Sequence, residues 1–329
     1  MKKQVLSTFN FKLKLIKNII IYLIITFLGL VLSFEFFNPI ENNRDNSAVV
    51  YENNFIPELP KLIEIKYNNI KFLGENFSDT IKRKKNIFIG SSTTQSFYVP
   101  NDLKWTTWAM SNINFWYNNC GFDGLKMNKL IPQINNTAFI KPDYTIILFD
   151  PFSDDDLIST EGIFLRFRNM VKKIKFFKSV LIPFLMSKED NQIGHRKITW
   201  KVEENLEYKT IDNIPKMDKI DSYLLDVIQT IESTESIPIF ISAPTPYGNY
   251  VNKQGIDMSK INNSISTNNY YKGFSEKLEK YCDSQGIHFI DGYSLAKNAD
   301  LFYDATHFNL KGSEKFGKLI NNELQQILK

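Results

Sequence analysis

Two stretches of this chain carry residues that could do acyl chemistry. One is Asn86-Ile87-Phe88-Ile89-Gly90-Ser91-Ser92-Thr93-Thr94, where an apolar run stops at a glycine and a cluster of hydroxyls. A buried parallel strand reads this way when it delivers a side chain to the carboxyl edge of a sheet, where ligands collect in open α/β folds. Ser92 is therefore a candidate nucleophile. The bland alternative is a helix N-cap run that binds nothing, or binds a phosphate. A nucleotide-binding P-loop is excluded, because the Gly-x-x-x-x-Gly-Lys spacing is missing.

A hydroxyl needs a base, and the chain has three histidines, His195, His288 and His307. His288 stands in a strand pattern, Gly-Ile-His-Phe-Ile-Asp, and reads as a packed or edge residue. His195 lies beside Arg196 and Lys197, which disfavour its protonation, and no carboxylate is near to orient it. His307 differs. Asp304 precedes it by three residues, just before a helical pattern, in Tyr303-Asp304-Ala305-Thr306-His307. A turn of that length can fold the carboxylate onto Nδ1, which fixes the tautomer and leaves Nε2 free to take a hydroxyl proton.

These residues need a frame, and the hydrophobic pattern supplies one. Strand-like apolar runs stand at Ile87–Ile89, Thr145–Phe149, Ile237–Ile241 and Ile287–Ile290, with a weaker one at Phe115–Tyr117. Helical patterns lie between and after them. One runs from Ile220 to Ile231 behind Asp218, one from Tyr270 to Tyr281 closed by Gly286, and one from Phe316 to Ile327. Strands alternating with helices imply a parallel sheet covered on both faces.

Length and composition suit an ordinary folded domain, with 329 residues, 43% of them hydrophobic and 23% charged. The net charge of +4 is concentrated at the start, in Lys2, Lys3, Lys12, Lys14 and Lys17. The remainder is close to neutral, which argues against a nucleic-acid binder. Two cysteines, Cys120 and Cys282, are too few for a disulfide framework or a four-ligand zinc site. They read as separate buried thiols, with a single disulfide as the alternative outside the cytoplasm.

From 19 to 37 the chain is almost continuously apolar, long enough at about 1.5 Å per residue to span a bilayer core of about 30 Å. The lysines before it and the acids after it place residues 1–18 in the cytoplasm and the rest outside. A cleaved signal peptide would have a shorter apolar core followed by small residues, so an uncleaved anchor is the expectation. Residues 38–84 read as a linker and lead-in segment, rich in Pro and Asn. A catalytic domain from 85 to 329 follows, interrupted by an insertion at about 156–215. There Arg166, Arg168, Lys172, Lys173, Lys175 and Lys178 interleave with apolar residues at helical spacing. Those cations forbid a second span and leave two readings of 163–187: an interfacial helix or lid against anionic lipid, or a cap helix with a solvated basic face.

From Asn86 to Lys329 the sequence resembles the SGNH or GDSL hydrolases. The family's first block, of the Gly-Asp-Ser-x-Thr kind, is similar to Gly90-Ser91-Ser92-Thr93-Thr94, with Ser91 in place of the aspartate. Its last block is similar to Asp304, His307 and Gly312, and its Asn-x-x-x-x-Gly block to Asn119 through Gly124. The third block departs: where the family has Gly-x-Asn-Asp, this chain has Asp150-Pro151-Phe152-Ser153-Asp154-Asp155-Asp156.

The resemblance implies a three-layer α/β/α sandwich, flavodoxin-like, around a parallel sheet of about five strands. It implies a catalytic triad of Ser92, His307 and Asp304, and an oxyanion hole from the N–H groups of Ser92 and Gly124 with the Ser153 hydroxyl nearest the missing Asn. No metal or dissociable cofactor is implied. The activity would be that of a membrane-anchored serine esterase acting on O-acyl groups of a surface glycan or lipid. Two alternatives stand beside it: an O-acyltransferase working with a membrane acyl exporter, and a glycan-binding module that kept the fold and lost the rate.

Overall fold

In the computed structural model, residues 49–53, 56–151, 200–202, 220–246, 250–252, 258–295, 298–304 and 306–328 are described. The expected anchor at 19–37, the basic segment at 163–187, His195, Asp218 and Ser153 lie outside them. Among the described residues, no helix is long and apolar enough to cross a membrane.

The described residues open with an antiparallel pair, β1 (Val49–Glu52) and β2 (Leu62–Ile65), inside the stretch read as linker and lead-in. Asn53 ties the connection between them: its side chain accepts from the Ile56 N–H at 2.9 Å and donates to the Ile56 carbonyl at 2.7 Å. The short β3 (Leu73–Gly74) comes next, then β4 (Lys85–Ile89), the one-turn helix α1 (Ser92–Gln95) and α2 (Trp105–Ala109). The chain continues through β5 (Trp116–Asn119), α3 (Leu130–Thr137) and β6 (Tyr144–Phe149). After the short β7 (Trp200–Val202) come α4 (Ile220–Glu232), β8 (Ile237–Ser242) and β9 (Tyr250–Asn252), which pairs with β7. Helix α5 (Met258–Gln285), β10 (His288–Ile290) and α6 (Leu310–Ile327) complete it.

Among the described residues the main sheet has six strands in the order β10-β8-β6-β4-β5-β3. Five run parallel, as expected, and the sixth, β3, adds an antiparallel edge against β5. Strands buried on both faces read as continuous apolar runs, and β6, Tyr-Thr-Ile-Ile-Leu-Phe, is buried at every position. Pro238 sits in β8 without disrupting it, because β10 begins its pairing only at Ile239 and no ladder bond is lost on that side.

Two apolar layers cover the sheet. On one face Ile87, Ile89, Ile147 and Phe149 pack with α3, α4 and the Phe274 and Leu278 side of α5. On the other, Phe88, Ile146, Leu148 and Ile241 pack with α2 and α6. The three-layer expectation therefore holds for the described residues. Helix α6 starts at Asn309, whose side chain accepts from the Gly312 N–H at 2.9 Å as an N-cap. It grips α2 through Asn321, which donates to the Ala109 and Ser111 carbonyls at 2.8 and 2.7 Å. Helix α5 extends well beyond the expected Tyr270–Tyr281 and ends before Gly286, whose φ of +67° suits the C′ position.

Strand order fixes where a site can form. From β4 the chain goes to β5 on one side and returns to β6 on the other, so the order reverses at β4. The crevice beyond the carboxyl ends of β4 and β6 is the place where open α/β sheets bind ligands.

Candidate active site

The segment leaving β4 turns at Gly90 and at once begins α1, so Ser92 becomes the first helical residue, half-buried at the sheet edge. Glycine is required at 90 by close approach. A Cβ there would lie 2.2 Å from Thr94 Oγ1 and 3.1 Å from the Leu148 carbonyl of β6. Gly90→Ala is expected to lower stability by about 1–3 kcal/mol, read as a shift in the urea midpoint. An unchanged midpoint would mean that Thr94 and β6 give way freely.

The other half of the site comes from the loop before α6. Asp304 Oδ1 accepts the backbone N–H groups of Thr306 and His307 at 2.9 and 2.7 Å, so the aspartate folds its own turn. The same carboxylate receives the His307 ring, with Nδ1 at 2.9 Å from Oδ1 and 2.7 Å from Oδ2. A carboxylate can only accept, so Nδ1 carries the hydrogen and Nε2 is left as an acceptor. Nε2 lies 2.8 Å from Ser92 Oγ. The structure thus brings Ser92, His307 and Asp304 into one hydrogen-bonded line. His307 and Asp304 are both largely buried, with relative exposures of 8% and 6%.

Neighbours hold that line in place. The Tyr303 ring lies nearly parallel to the His307 imidazole, 12° between planes and 5.6 Å between centroids, and meets the edge of Tyr98. Burial, with the charge of Asp304 next, pushes the Tyr303 phenol well above its usual range, so it stays neutral. Thr306 Oγ1 stands 3.1 Å from Nδ1, and the Thr306 carbonyl faces Thr93 Oγ1 at 3.4 Å, linking the two halves.

Behind Ser92, almost every carbonyl that follows is held by a buried side chain. Trp105 Nε1 donates to Thr93 O at 3.0 Å and Asn119 Nδ2 to Thr94 O at 2.6 Å. Lys104 Nζ donates to Gln95 O at 2.9 Å, Ser96 O at 2.5 Å and Val99 O at 2.7 Å. Of these three donors only Asn119 was singled out from the sequence, as the start of the Asn-x-x-x-x-Gly block. A carbonyl acceptor has no side-chain signature, so Lys104 and Trp105 gave none.

The other expected residues are distributed as follows. Gly124 sits in a tight turn closed by the Leu125 N–H to the Phe122 carbonyl at 3.0 Å, with φ of +67°. That turn is tied to both ends of the Ser92 segment. The Phe122 N–H donates to Gly90 O at 2.9 Å, and the Asp123 N–H to Gln95 Oε1 at 2.5 Å. Of the divergent third block, Asp150 is largely buried and accepts the Tyr271 hydroxyl at 2.7 Å. His288 opens the edge strand β10, exposed and three strands away from β4, which presents Ser92. Cys120 and Cys282 are both free and buried in the same apolar layer, so the disulfide alternative falls. Burial pushes the Cys120 thiol well up and the Cys282 thiol up to about 12. Among the described residues, no group of three or more His, Cys, Asp and Glu is gathered to hold a metal ion.

No protein-family model and no curated protein matches the chain. Solved structures do. A member of the lipolytic protein G-D-S-L family from Veillonella parvula is similar at 14% identity and a TM-score of 0.43, covering 74% of this chain and 97% of that one. A GDSL-like lipase from Bacteroides thetaiotaomicron is similar at 11% identity and a TM-score of 0.45, covering 76% and 93%. A catalytic mutant of Axe2, an acetylxylan esterase from Geobacillus stearothermophilus, is similar at 12% identity and a TM-score of 0.39, covering 74% and 94%. The neighbours of this chain among solved structures are thus described as GDSL lipolytic proteins, lipases and acetylxylan esterases.

Proposed function

We propose that this chain is a serine acyl-ester hydrolase of the SGNH type. The observation that carries the proposal is the continuous line from Ser92 Oγ through the His307 ring to the Asp304 carboxylate. Ser92 attacks the ester carbonyl as Nε2 takes its proton, and an acyl-serine forms. The imidazolium returns that proton to the leaving alcohol, and the neutral imidazole so restored takes a proton from a water that attacks the acyl-serine and releases the acid. Asp304 holds the tautomer and stabilises the imidazolium. The backbone N–H groups of Ser92 and Gly124, with the Ser153 hydroxyl as third donor, stabilise the tetrahedral oxyanion. A donor of that kind is worth about 10²–10³ in rate.

The substrate in this proposal is an O-acyl group on a surface glycan or lipid, reached by a domain held outside the membrane by the apolar segment at 19–37. An acyl-serine can also be passed to a sugar hydroxyl, which would make the same site an O-acyltransferase fed by a membrane acyl exporter.

The test is a fluorophosphonate probe followed by peptide mapping. Label on Ser92, absent from His307→Ala, is the expected result. Folded protein that takes no label would leave a glycan-binding module as the better reading. Incubating an activated acetyl ester with and without glycan acceptors, and partitioning the products, then separates hydrolysis from transfer.

A further inference from the structure

Lys104 is the one charged side chain counted among the largest fully buried residues, with a relative exposure of 1%. Among the described residues it has no ion-pair partner; its three ammonium protons go to three carbonyl oxygens, those of Gln95, Ser96 and Val99. All three belong to the chain just after the candidate nucleophile. Helix α1 lasts a single turn and ends at Ser96 in the left-handed region, with φ of 51°. The Ser96 N–H bonds back to the Ser92 carbonyl at 2.8 Å, so the residue that Lys104 holds is the one that closes the turn begun by Ser92. A lysine buried only for packing would gain nothing from this placement, and an apolar side chain of the same length would fill the space without the cost of desolvating a charge.

We propose that Lys104 is a positioning residue. Its buried ammonium fixes the helix terminus behind Ser92 and so aims the Ser92 hydroxyl at His307 Nε2. This rests on the reading of Ser92 as the nucleophile. Lys104 also begins α2, where its own carbonyl accepts from the Thr107 and Trp108 N–H groups at 2.9 and 3.1 Å. Helix α2 is in turn gripped by α6, so the clamp is anchored in the core and does not follow the loop it holds. Active sites lose about 10²-fold when a reacting atom is displaced by about 1 Å, which sets the size of the effect.

Protonation of Lys104 supplies a second readout. Burial lowers its ammonium to about 7. The ionisable groups facing the cavity beside it are Glu75, Asp102 and Tyr117, and burial raises the Tyr117 phenol. Because the folded lysine releases its proton below the unfolded value of 10.5, the unfolded chain holds more protons above pH about 7. Stability contributed by Lys104 therefore rises with pH from about 7 up to its unfolded value of 10.5. A neutral amine has two donors for three carbonyls, so the aim of Ser92 degrades as the folded lysine loses its proton around pH 7, and kcat falls there. A purely structural lysine would leave kcat flat there.

The experiment compares wild type with Lys104→Met, which keeps the stem and removes the charge, on an activated acetyl ester. Melting temperature, kcat, KM and the pH profile are measured for both. The expected result is a folded Lys104→Met variant with KM within about twofold of wild type, kcat lower by about 10- to 100-fold, and no alkaline limb. A folded variant with wild-type kcat, or one whose loss lies in KM, overturns the proposal. Where Lys104→Met does not fold, the wild-type profile decides. A fall in kcat above pH about 7 with a rising melting temperature supports the clamp, and a flat kcat overturns it. Wild-type protein that neither turns over ester nor takes the fluorophosphonate at Ser92 overturns the nucleophile reading and this proposal with it. Wild type that does both, beside an unaffected Lys104→Met, overturns the clamp alone.

Discussion

Ser92→Ala is expected to lower turnover of an activated acetyl ester by about 10⁴-fold or more, and His307→Ala by a comparable factor. The double variant should be little worse than either single one, because the hydroxyl and the imidazole act in one step and removing either removes it. Neither change should unfold the protein. Ser92 is half-buried at the first position of α1, where alanine is accepted, and its carbonyl still receives the Ser96 N–H at 2.8 Å. Residual rate left by binding and oxyanion donors alone would survive in all three variants. Turnover by Ser92→Ala within about tenfold of wild type would sink the acyl-serine mechanism.

Asp304→Asn should cost about 10⁴-fold in kcat while leaving the turn nearly intact. The amide oxygen can still accept the Thr306 and His307 N–H groups that Asp304 Oδ1 accepts at 2.9 and 2.7 Å. Its NH₂ then faces Nδ1, which must become the acceptor, so Nε2 takes the hydrogen and can no longer receive the Ser92 proton. Asp304→Ala lacks even the oxygen. It leaves one buried N–H, that of His307, and one partly buried N–H, that of Thr306, without their acceptor, at about 1–3 kcal/mol for a buried group, and should lower the melting temperature as well as the rate. Measuring kcat and thermal midpoint for both variants separates tautomer control from turn formation. Equal losses of rate and of stability in the two would show that the carboxylate acts only as a turn former.

Much of this site could be read before folding because its parts are local. The strand that presents Ser92 is a continuous apolar run, and Asp304 reaches His307 across three residues. What escaped reading is non-local or polar. Strand β5 was expected at Phe115–Tyr117 and runs Trp116–Asn119, because Asn118 and Asn119 look like loop residues. They are buried there by hydrogen bonds to the Glu75 and Thr94 carbonyls at 3.0 and 2.6 Å. The β1–β2 pair hides in a Pro- and Asn-rich stretch for a similar reason: Asn53, not an apolar pattern, organises its connection. Helix α3 is amphipathic but short, and it gave too few periodic positions to stand out. Lys104 carried no signal at all, since its partners are backbone oxygens that every sequence possesses.

The bond between Ser92 and His307 joins residues 215 apart in the chain. During synthesis the strand that presents Ser92 can form long before His307 exists, and His307 arrives only with the loop and final helix that close over α2. Closing so long a separation is slow and contributes to a high contact order. The proposed acyl-transfer site is therefore a late event in folding, and its reactivity toward a serine-directed probe should appear only once the C-terminal helix has docked. In a refolding experiment, labelling of Ser92 would report completion of the whole α/β domain, lagging behind the recovery of secondary structure.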